Sequence, residues 1–439
     1  MFETIKSLIL DFQEAILDGG VPRHLRVEPV HGKATICIGV RRSGKSTYMS
    51  QIMQRLVASG VSRQNILQLN FFDDRLHRLQ SDTLTLIPEA YFSLFPEKKN
   101  TETVYIFFDE IQSVEGWEPF VDRMMRMEKC EIYITGSSAR MLSKEIATQM
   151  RGRALSWEMF PFSFREFMDF KQIDSSAPFS TKKRLFLQKG FEEYWESGGF
   201  PEVAGLSRTL RIKIHQEYFQ AILFRDLVER HDVSHPRGVS DLAHWLIDNI
   251  ASPYSVNNLT GYLKSLGHKV PKSSVSDYLE WFEDAFFLFT VRIFDASLSR
   301  SNTNPKKIYC IDHALVHSTS SGILRNTGHL LENLVFIALR RISTEIFYYR
   351  TKNGNEVDFI VRMPDRSRSL IQVCETLADA KTRKRETAAL TEAMNEQGLN
   401  EGIIVSRNEE DQIVLDGKTI EVVPIWKFLL NLPEMNIPL

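Results

Sequence analysis

ATICIGVRRSGKST, residues 34–47, joins a run of small apolar residues to a loop bounded by Gly39 and Gly44. Gly39 to Ser46 fits the pattern G-x-x-x-x-G-K-[ST] at every position. The spacing has a chemical cause. Backbone N–H groups reach the oxygens of a polyphosphate only where no Cβ intervenes, and Gly39 and Gly44 supply that freedom. A helix opening directly after the loop offers its N-terminus to anions. On this pattern Lys45 meets the β- and γ-phosphates of a nucleoside triphosphate and Ser46 brings its hydroxyl to Mg²⁺. Arg42, Ser43 and Thr47 join Gly39, Gly44, Lys45 and Ser46 in the nucleotide-binding set. The flanks agree: Ala34–Ile38 reads as a buried parallel strand. Tyr48, Met49, Ile52, Met53, Leu56 and Val57 then recur at the spacing of a helix face.

Composition bounds the rest. A chain of 439 residues has room for two to four domains, and 43% hydrophobic with 25% charged residues reads as ordinary globular protein. A net charge of −2 means that any nucleic-acid surface is local. Cys37, Cys130, Cys310 and Cys374 are too scattered for a zinc site or a disulfide framework. The start, MFETIKSLILDFQ, lacks a signal-peptide pattern and no apolar run reaches about 18 residues, so the expected compartment is the cytoplasm, with no membrane partner. An amphipathic helix is expected over Phe2–Leu17, with Ile5, Leu8, Ile9, Phe12 and Ile16 on its buried face and Gly19-Gly20 ending it. Arg23 and Arg26 follow it as weaker candidates for nucleotide contact.

Downstream, Asn65–Phe72 reads as a second strand. Val104–Phe108 is an apolar strand that ends in Asp109-Glu110, as a Walker B element does. Asp109 is then the Mg²⁺ carboxylate at the strand's carboxyl end, and Glu110 the general base for the attacking water. A further strand, Glu131–Thr135, leads to Gly136-Ser137-Ser138 in the same crevice.

By this point the chain resembles the AAA-type branch of phosphate-loop ATPases. The resemblance implies a polar γ-phosphate sensor on this strand, with Ser137 the first choice and Thr135 the second. GVRRSGKST, FFDEIQ and the run Ser137–Phe167 together resemble a large prokaryotic group of such ATPases. Its members carry a C-terminal domain of unknown function with a degenerate restriction-endonuclease-like core. That resemblance implies an arginine that meets the γ-phosphate in cis or across a subunit interface, Arg151 or Arg153, with Arg140 weaker.

From Phe164 to about Val233 the pattern is helical, with a loose capping box at Ser163–Glu166, a turn at Gly198–Glu202 and one helix over Tyr218–His231. Arg225-Asp226 on that helix reads as a local ion pair or as a pair bearing on nucleotide state. Residues 240–301 read as a winged helix: helices over Leu242–Ile250, Val256–Leu266 and Ser273–Glu283, then Phe286–Phe294 and Arg300 as the wing. Lys264, Lys269 and Lys272 suit phosphate contact, whereas Asp277, Glu280, Glu283 and Asp284 on the third helix repel a duplex.

From Ile308 onward, strands at Ile308–Asp312, Phe347–Thr351, Glu356–Val361 and Leu370–Cys374 surround a helix at His329–Ile342. This resembles the restriction-endonuclease fold, and the resemblance places Glu332, Asp358 and Gln372 at three of its Mg²⁺-site positions. Cys374 stands at the fourth, where the family pattern has lysine. A thiol does not stabilise developing phosphorane charge as an ammonium does, so a non-cleaving domain is expected unless Glu375 or Lys381 compensates. The cluster Lys381–Arg385 is a solvated face or a DNA phosphate contact.

The expected fold is α/β: a three-layer phosphate-loop core with a mainly parallel sheet, a helical and winged-helix region, and a C-terminal α/β nuclease-like domain. The expected boundaries are 1–165, 166–235, 236–305 and 306–439. The expected function is ATP hydrolysis with Mg²⁺, coupled to DNA binding by the C-terminal half. The alternative is a nucleotide-operated switch on a protein partner, and homo-oligomers fit either.

Overall fold

The computed structural model describes residues 1–137, 150, 152–295, 297–321, 327–363 and 365–433. The chain forms two compact units, Met1–Met159 and Phe160–Ile437.

The first unit is built on five short apolar strands: β1 (Ala34–Ile38), β2 (Ile66–Asn70), β3 (Val104–Asp109), β4 (Cys130–Gly136) and β5 (Ala154–Glu158). Their order is β2-β3-β4-β1-β5 and every neighbouring pair is parallel. All five residues of β1 are buried, as expected of a central strand covered on both faces. Helices α1 (Phe2–Glu14), α2 (Lys45–Ala58), α3 (Leu86–Leu94) and α4 (Trp117–Met127) accompany the sheet. One core cluster joins Phe12, Tyr48, Ile52, Phe107, Tyr133 and Trp157. Within it the Phe107 and Tyr133 rings of adjacent strands stack with centroids 4.6 Å apart.

Three expectations change here. The first helix stops at Glu14, and Ile16 is 94% exposed rather than on the core face. Beyond it the chain is strapped to α2: Gln54 Nε2 donates to Leu17 O, Gln51 Nε2 to Val21 O, and Tyr48 Oη to Leu25 O. Those side-chain bonds take over from the helix ladder. Val57, in the last turn of α2, is 41% exposed and faces away from the core. The sequence pattern also missed β5, whose five residues sit among charged neighbours.

The second unit begins with helices Phe164–Phe170, Thr181–Ser197 and Arg208–Ala221. The first is closed by a reciprocal capping box between Ser163 and Glu166. The helix expected over Tyr218–His231 instead begins at Arg208 and changes register, running as a π-helix over Ile222–Glu229. Helices Pro236–Asp248, Val256–Ser265 and Lys272–Asp284 follow.

A nine-stranded sheet completes the unit. Its strands are β6 (Pro253–Tyr254), β7 (Leu288–Ile293), β8 (Lys306–Cys310), β9 (Ile346–Arg350), β10 (Glu356–Arg362), β11 (Arg368–Cys374), β12 (Glu401–Ser406), β13 (Asp411–Leu415) and β14 (Lys418–Pro424). Their order is β13-β14-β12-β11-β10-β9-β7-β8-β6. β8 lies antiparallel between β6 and β7. β7 in turn pairs with β9 in parallel. The short sheet beside the three helices and the sheet of the C-terminal part are therefore one.

β8 is also fixed from the helix Thr327–Arg340. Asn333, fully buried, accepts from Cys310 N at 2.7 Å and donates to Cys310 O at 3.0 Å. One amide thus satisfies both backbone groups at the end of the strand. All four cysteines are free thiols. Among the described residues no helix is long and apolar enough to cross a membrane. Replacing Asn333 with Ala strands a buried N–H and a buried C=O, and is expected to cost about 2–4 kcal/mol. Urea unfolding followed by tryptophan fluorescence and circular dichroism checks this.

Candidate nucleotide site

The loop between β1 and α2 has the backbone that its glycines permit. Gly39 has φ 147°, and a Cβ there would lie 2.1 Å from the Met159 carbonyl oxygen. Gly44 caps α2 at φ 97°, and Arg42 between them is also left-handed at φ 64°. Lys45 is buried and donates from Nζ to Gly39 O at 2.9 Å and Val40 O at 3.0 Å. Arg23 Nη1 donates to Ser43 O at 2.6 Å, so it holds the loop from behind. The Ser43 hydroxyl is buried inside the loop with no hydrogen-bond partner among the described residues.

Parallel register brings the other candidates to the same edge. Asn70, Asp109 and Thr135 lie side by side on β2, β3 and β4, and Ile38 at the loop's start is level with Gly136. Asp109 is 8% exposed. Its Oδ2 accepts from Ser46 Oγ at 2.8 Å, and its Oδ1 accepts a short hydrogen bond from the Thr135 hydroxyl. Burial pushes the Asp109 carboxyl above the usual aspartate range, partly offset by those two hydroxyls. Glu110 is left-handed at φ 58°. Its Oε2 accepts from Ser137 Oγ at 3.4 Å and, in a short bond, from Gln112 Nε2. Its backbone N donates to Thr135 Oγ1 at 3.3 Å. A cleft of about 380 Å³ runs beside this edge, with Ser46, Asn70 and Asp109 on its polar side and Phe12, Leu17 and Met53 on its apolar side.

Both choices for the sensor thus meet an acid, Thr135 at Asp109 and Ser137 at Glu110. Gln112 was missed; its signal is an amide two residues beyond the Asp-Glu pair. Arg153 lies elsewhere. Its carbonyl accepts from Ala34 N at the start of β1, about 13 Å along the strand from the loop end, at ~3.3 Å per residue. Its guanidinium pairs at 3.4 Å with the buried Asp122, which Arg126 also meets at 3.0 Å. In this arrangement Arg153 is held by Asp122 at the opposite end of β1 from the loop. Arg140 and Arg151 lie outside the described residues.

In the second unit Glu332 and Asp358 meet across one ammonium, that of Lys307, which sequence reasoning did not single out. Gln372 bonds the Asp358 backbone and Glu386. Cys374 is buried and its thiol is pushed up to about 12 by burial and by Glu386, so it stays neutral. Asp226 pairs with Arg230. In the basic cluster, Arg383 pairs with Asp411 and Arg385 with Glu386.

A glycine-bounded loop between β1 and α2, and an acidic strand end separated from β1 by β4, define a P-loop NTPase core. Residues 31–168 match the family described as AAA domain. Residues 188–325 and 327–428 match two domains of unknown function, DUF8612 and DUF4143. An uncharacterized protein of Methanocaldococcus jannaschii is 34% identical over 438 residues, which cover 96% of this chain and 95% of that one. One of Haemophilus influenzae is 32% identical over 331 residues, covering 74% and 79%. Among solved structures, the Walker-type ATPase PABY2304 of Pyrococcus abyssi matches with TM-score 0.42 and 14% identity, over 72% of this chain and 95% of that chain. Orc1 of Aeropyrum pernix, solved in complex with DNA, matches with TM-score 0.32 and 13% identity, over 73% and 92%. The chain belongs to the family of the M. jannaschii and H. influenzae proteins, and its N-terminal part is an AAA domain of the P-loop ATPases.

The raised Asp109 carboxyl has a consequence for stability. An acid whose folded pKa exceeds its unfolded value binds its proton more tightly when folded, so stability falls as pH rises through that window. Asp109→Asn, measured without nucleotide, is expected to melt higher than wild type at pH 7. The gap should close near pH 4. Differential scanning calorimetry at the two pH values reads it.

Proposed function

We propose that the chain binds ATP with Mg²⁺ and hydrolyses it to ADP and phosphate, and that this cycle controls what the second unit binds. The chain of contacts Ser46–Asp109–Thr135 beside Gln112–Glu110–Ser137 carries the reading. The residues fit the ligands. Gly39 and Gly44 open the loop, the Ser43 hydroxyl awaits a partner, and the Ser46 hydroxyl already lies against a buried carboxylate. In this reading Gly39, Arg42, Ser43, Gly44, Lys45, Ser46 and Thr47 form the nucleotide site, and Ser46 with Asp109 holds the metal. Bound Mg²⁺ supplies charge neutralisation at the β- and γ-phosphate oxygens. Lys45 exchanges its two loop carbonyls for phosphate oxygens and stabilises their charge. Glu110 takes a proton from water as general base, and Gln112 and Ser137 hold its carboxylate in place. An arginine finger comes from a second copy: Arg151, or Arg153 released from Asp122.

Four segments, 1–165, 166–235, 236–305 and 306–439, then act as ATPase, lid, winged helix and nuclease-like domain. Three helices, with β6 after the first and β7 and β8 after the third in one antiparallel sheet, support the winged helix, whose last strand, β8, begins just past the expected boundary at 305. Two partners compete for it. DNA is favoured by that topology and by exposed Lys264, Lys269 and Lys272. A protein is favoured by exposed Asp277 and Glu280 on the third helix, and by the ion pairs that occupy Arg383 and Arg385. The acids on the third helix, the one a winged helix lays in the groove, tip the balance to a protein partner.

Steady-state hydrolysis tests both halves. Glu110→Gln is expected to lower kcat by about 10²–10⁴-fold while fluorescent ATP still binds, whereas Lys45→Ala loses binding. Equal turnover in wild type and Glu110→Gln overturns the assignment. DNA added to wild type is expected to leave the rate unchanged. A several-fold rise that weakens steeply with salt returns the DNA reading.

A further inference from the structure

The second unit holds a buried charge cluster for which ATP hydrolysis has no use. Lys307 enters it from β8 and is 2% exposed. Its Nζ lies 2.9 Å from Glu332 Oε1, 2.9 Å from Glu356 Oε1 and 3.2 Å from Asp358 Oδ1. An ammonium has three N–H donors and no acceptor, and here each donor has its own carboxylate. Burial alone would pull the Lys307 pKa down, but Tyr309, Glu332, Asp358 and Glu356 outweigh it and hold the group well above the usual lysine range.

Other donors also reach the cluster. Tyr309 Oη donates to Glu332 Oε1 at 2.7 Å, and Val373 N to Asp358 Oδ2 at 2.9 Å. Glu356 Oε2 meets Arg350 at 3.0 Å. Gln372 turns its oxygen to Asp358 N and its amide to Glu386. Glu332, whose neighbours are Asp358 and Lys307, is pushed up to about 7 by burial and by Asp358.

Mg²⁺ asks for something different. It takes oxygen ligands at about 2.0–2.1 Å in near-octahedral geometry and keeps part of its water shell. A site whose carboxylates stand at ammonium distances around an internal cation does not offer that. Among the described residues no cluster of three or more His, Cys, Asp or Glu side chains is arranged to hold a metal ion. The nuclease-like residues are thus assembled, but around the wrong cation.

We infer that the Lys307 ammonium is a built-in replacement for the divalent cation of this carboxylate site, closing it to Mg²⁺. It also pins β8 to the helix Thr327–Arg340 and to β10. The loss of cleavage chemistry then has a cause beyond Cys374: the metal position itself is filled by the chain. This inference stands apart from the ATPase reading.

Mn²⁺ uptake tests it. Full-length protein without nucleotide is titrated with Mn²⁺, and free ion is read by electron paramagnetic resonance, for wild type, Asp358→Asn, Lys307→Ala and the double variant. Wild type and Asp358→Asn are expected to bind equal amounts. Lys307→Ala is expected to bind one more ion per chain, and the double variant to lose it. A wild-type site that disappears in Asp358→Asn overturns the inference. So does a Lys307→Ala variant with wild-type circular dichroism that takes up no additional ion. If Lys307→Ala does not fold, the wild type against Asp358→Asn comparison decides alone, equal uptake supporting the inference and unequal uptake overturning it.

Discussion

The parallel register of β1, β3 and β4 is the constraint on which the nucleotide site depends. Asp109 ends one strand with Glu110 just after it, Thr135 lies on the next with Ser137 just past its end, and the phosphate loop follows the one after that. Each comes to the same edge because Asp109 is paired with Thr135 and Ile38 with Gly136. Side chains on a strand alternate faces, so a slip of one residue would exchange Asp109 with a buried phenylalanine. The apolar residues that fix the register, Phe107 and Tyr133 in face-to-face contact and Ile36 and Ile134 fully buried, are therefore as necessary to the chemistry as the acids. Packing sets the register, and the register sets the distances.

Much of this was legible in the sequence, for a physical reason. The phosphate loop and the Asp-Glu strand end are local: a few adjacent residues carry both the chemistry and the backbone it needs. What escaped is what depends on distant partners. Ile16 has the right spacing for a buried face, yet Gln51, Gln54 and Tyr48 draw the following chain onto α2 and leave it outside. Arg153 has the composition of a phosphate ligand, but Asp122 and its place at the far end of β1 decide its contacts. Lys307 stands in the sequence as an ordinary lysine at a strand's beginning. Nothing within its neighbourhood announces that three carboxylates from 25 to 51 residues away converge on it.

Among the described residues, two of the buried acidic sites make opposite uses of one cost. Removing a carboxylate from water is expensive, and the cost can be met by a cation within the fold or left for a ligand to meet. At Asp109 the near partners are two hydroxyls, which donate hydrogen bonds but bring no charge. The carboxyl is correspondingly raised, and a cation arriving there gains what the fold has withheld. At Asp358 and Glu332 the fold supplies an ammonium of its own, with a hydrogen bond for each of its protons. Such a site gains little from an incoming metal, because the metal must first displace a partner that cannot leave. Stability has been exchanged for readiness in one place and readiness for stability in the other. A carboxylate cluster is thus read by its counter-charge, and the residue that supplies it can lie on a strand that carries no motif at all.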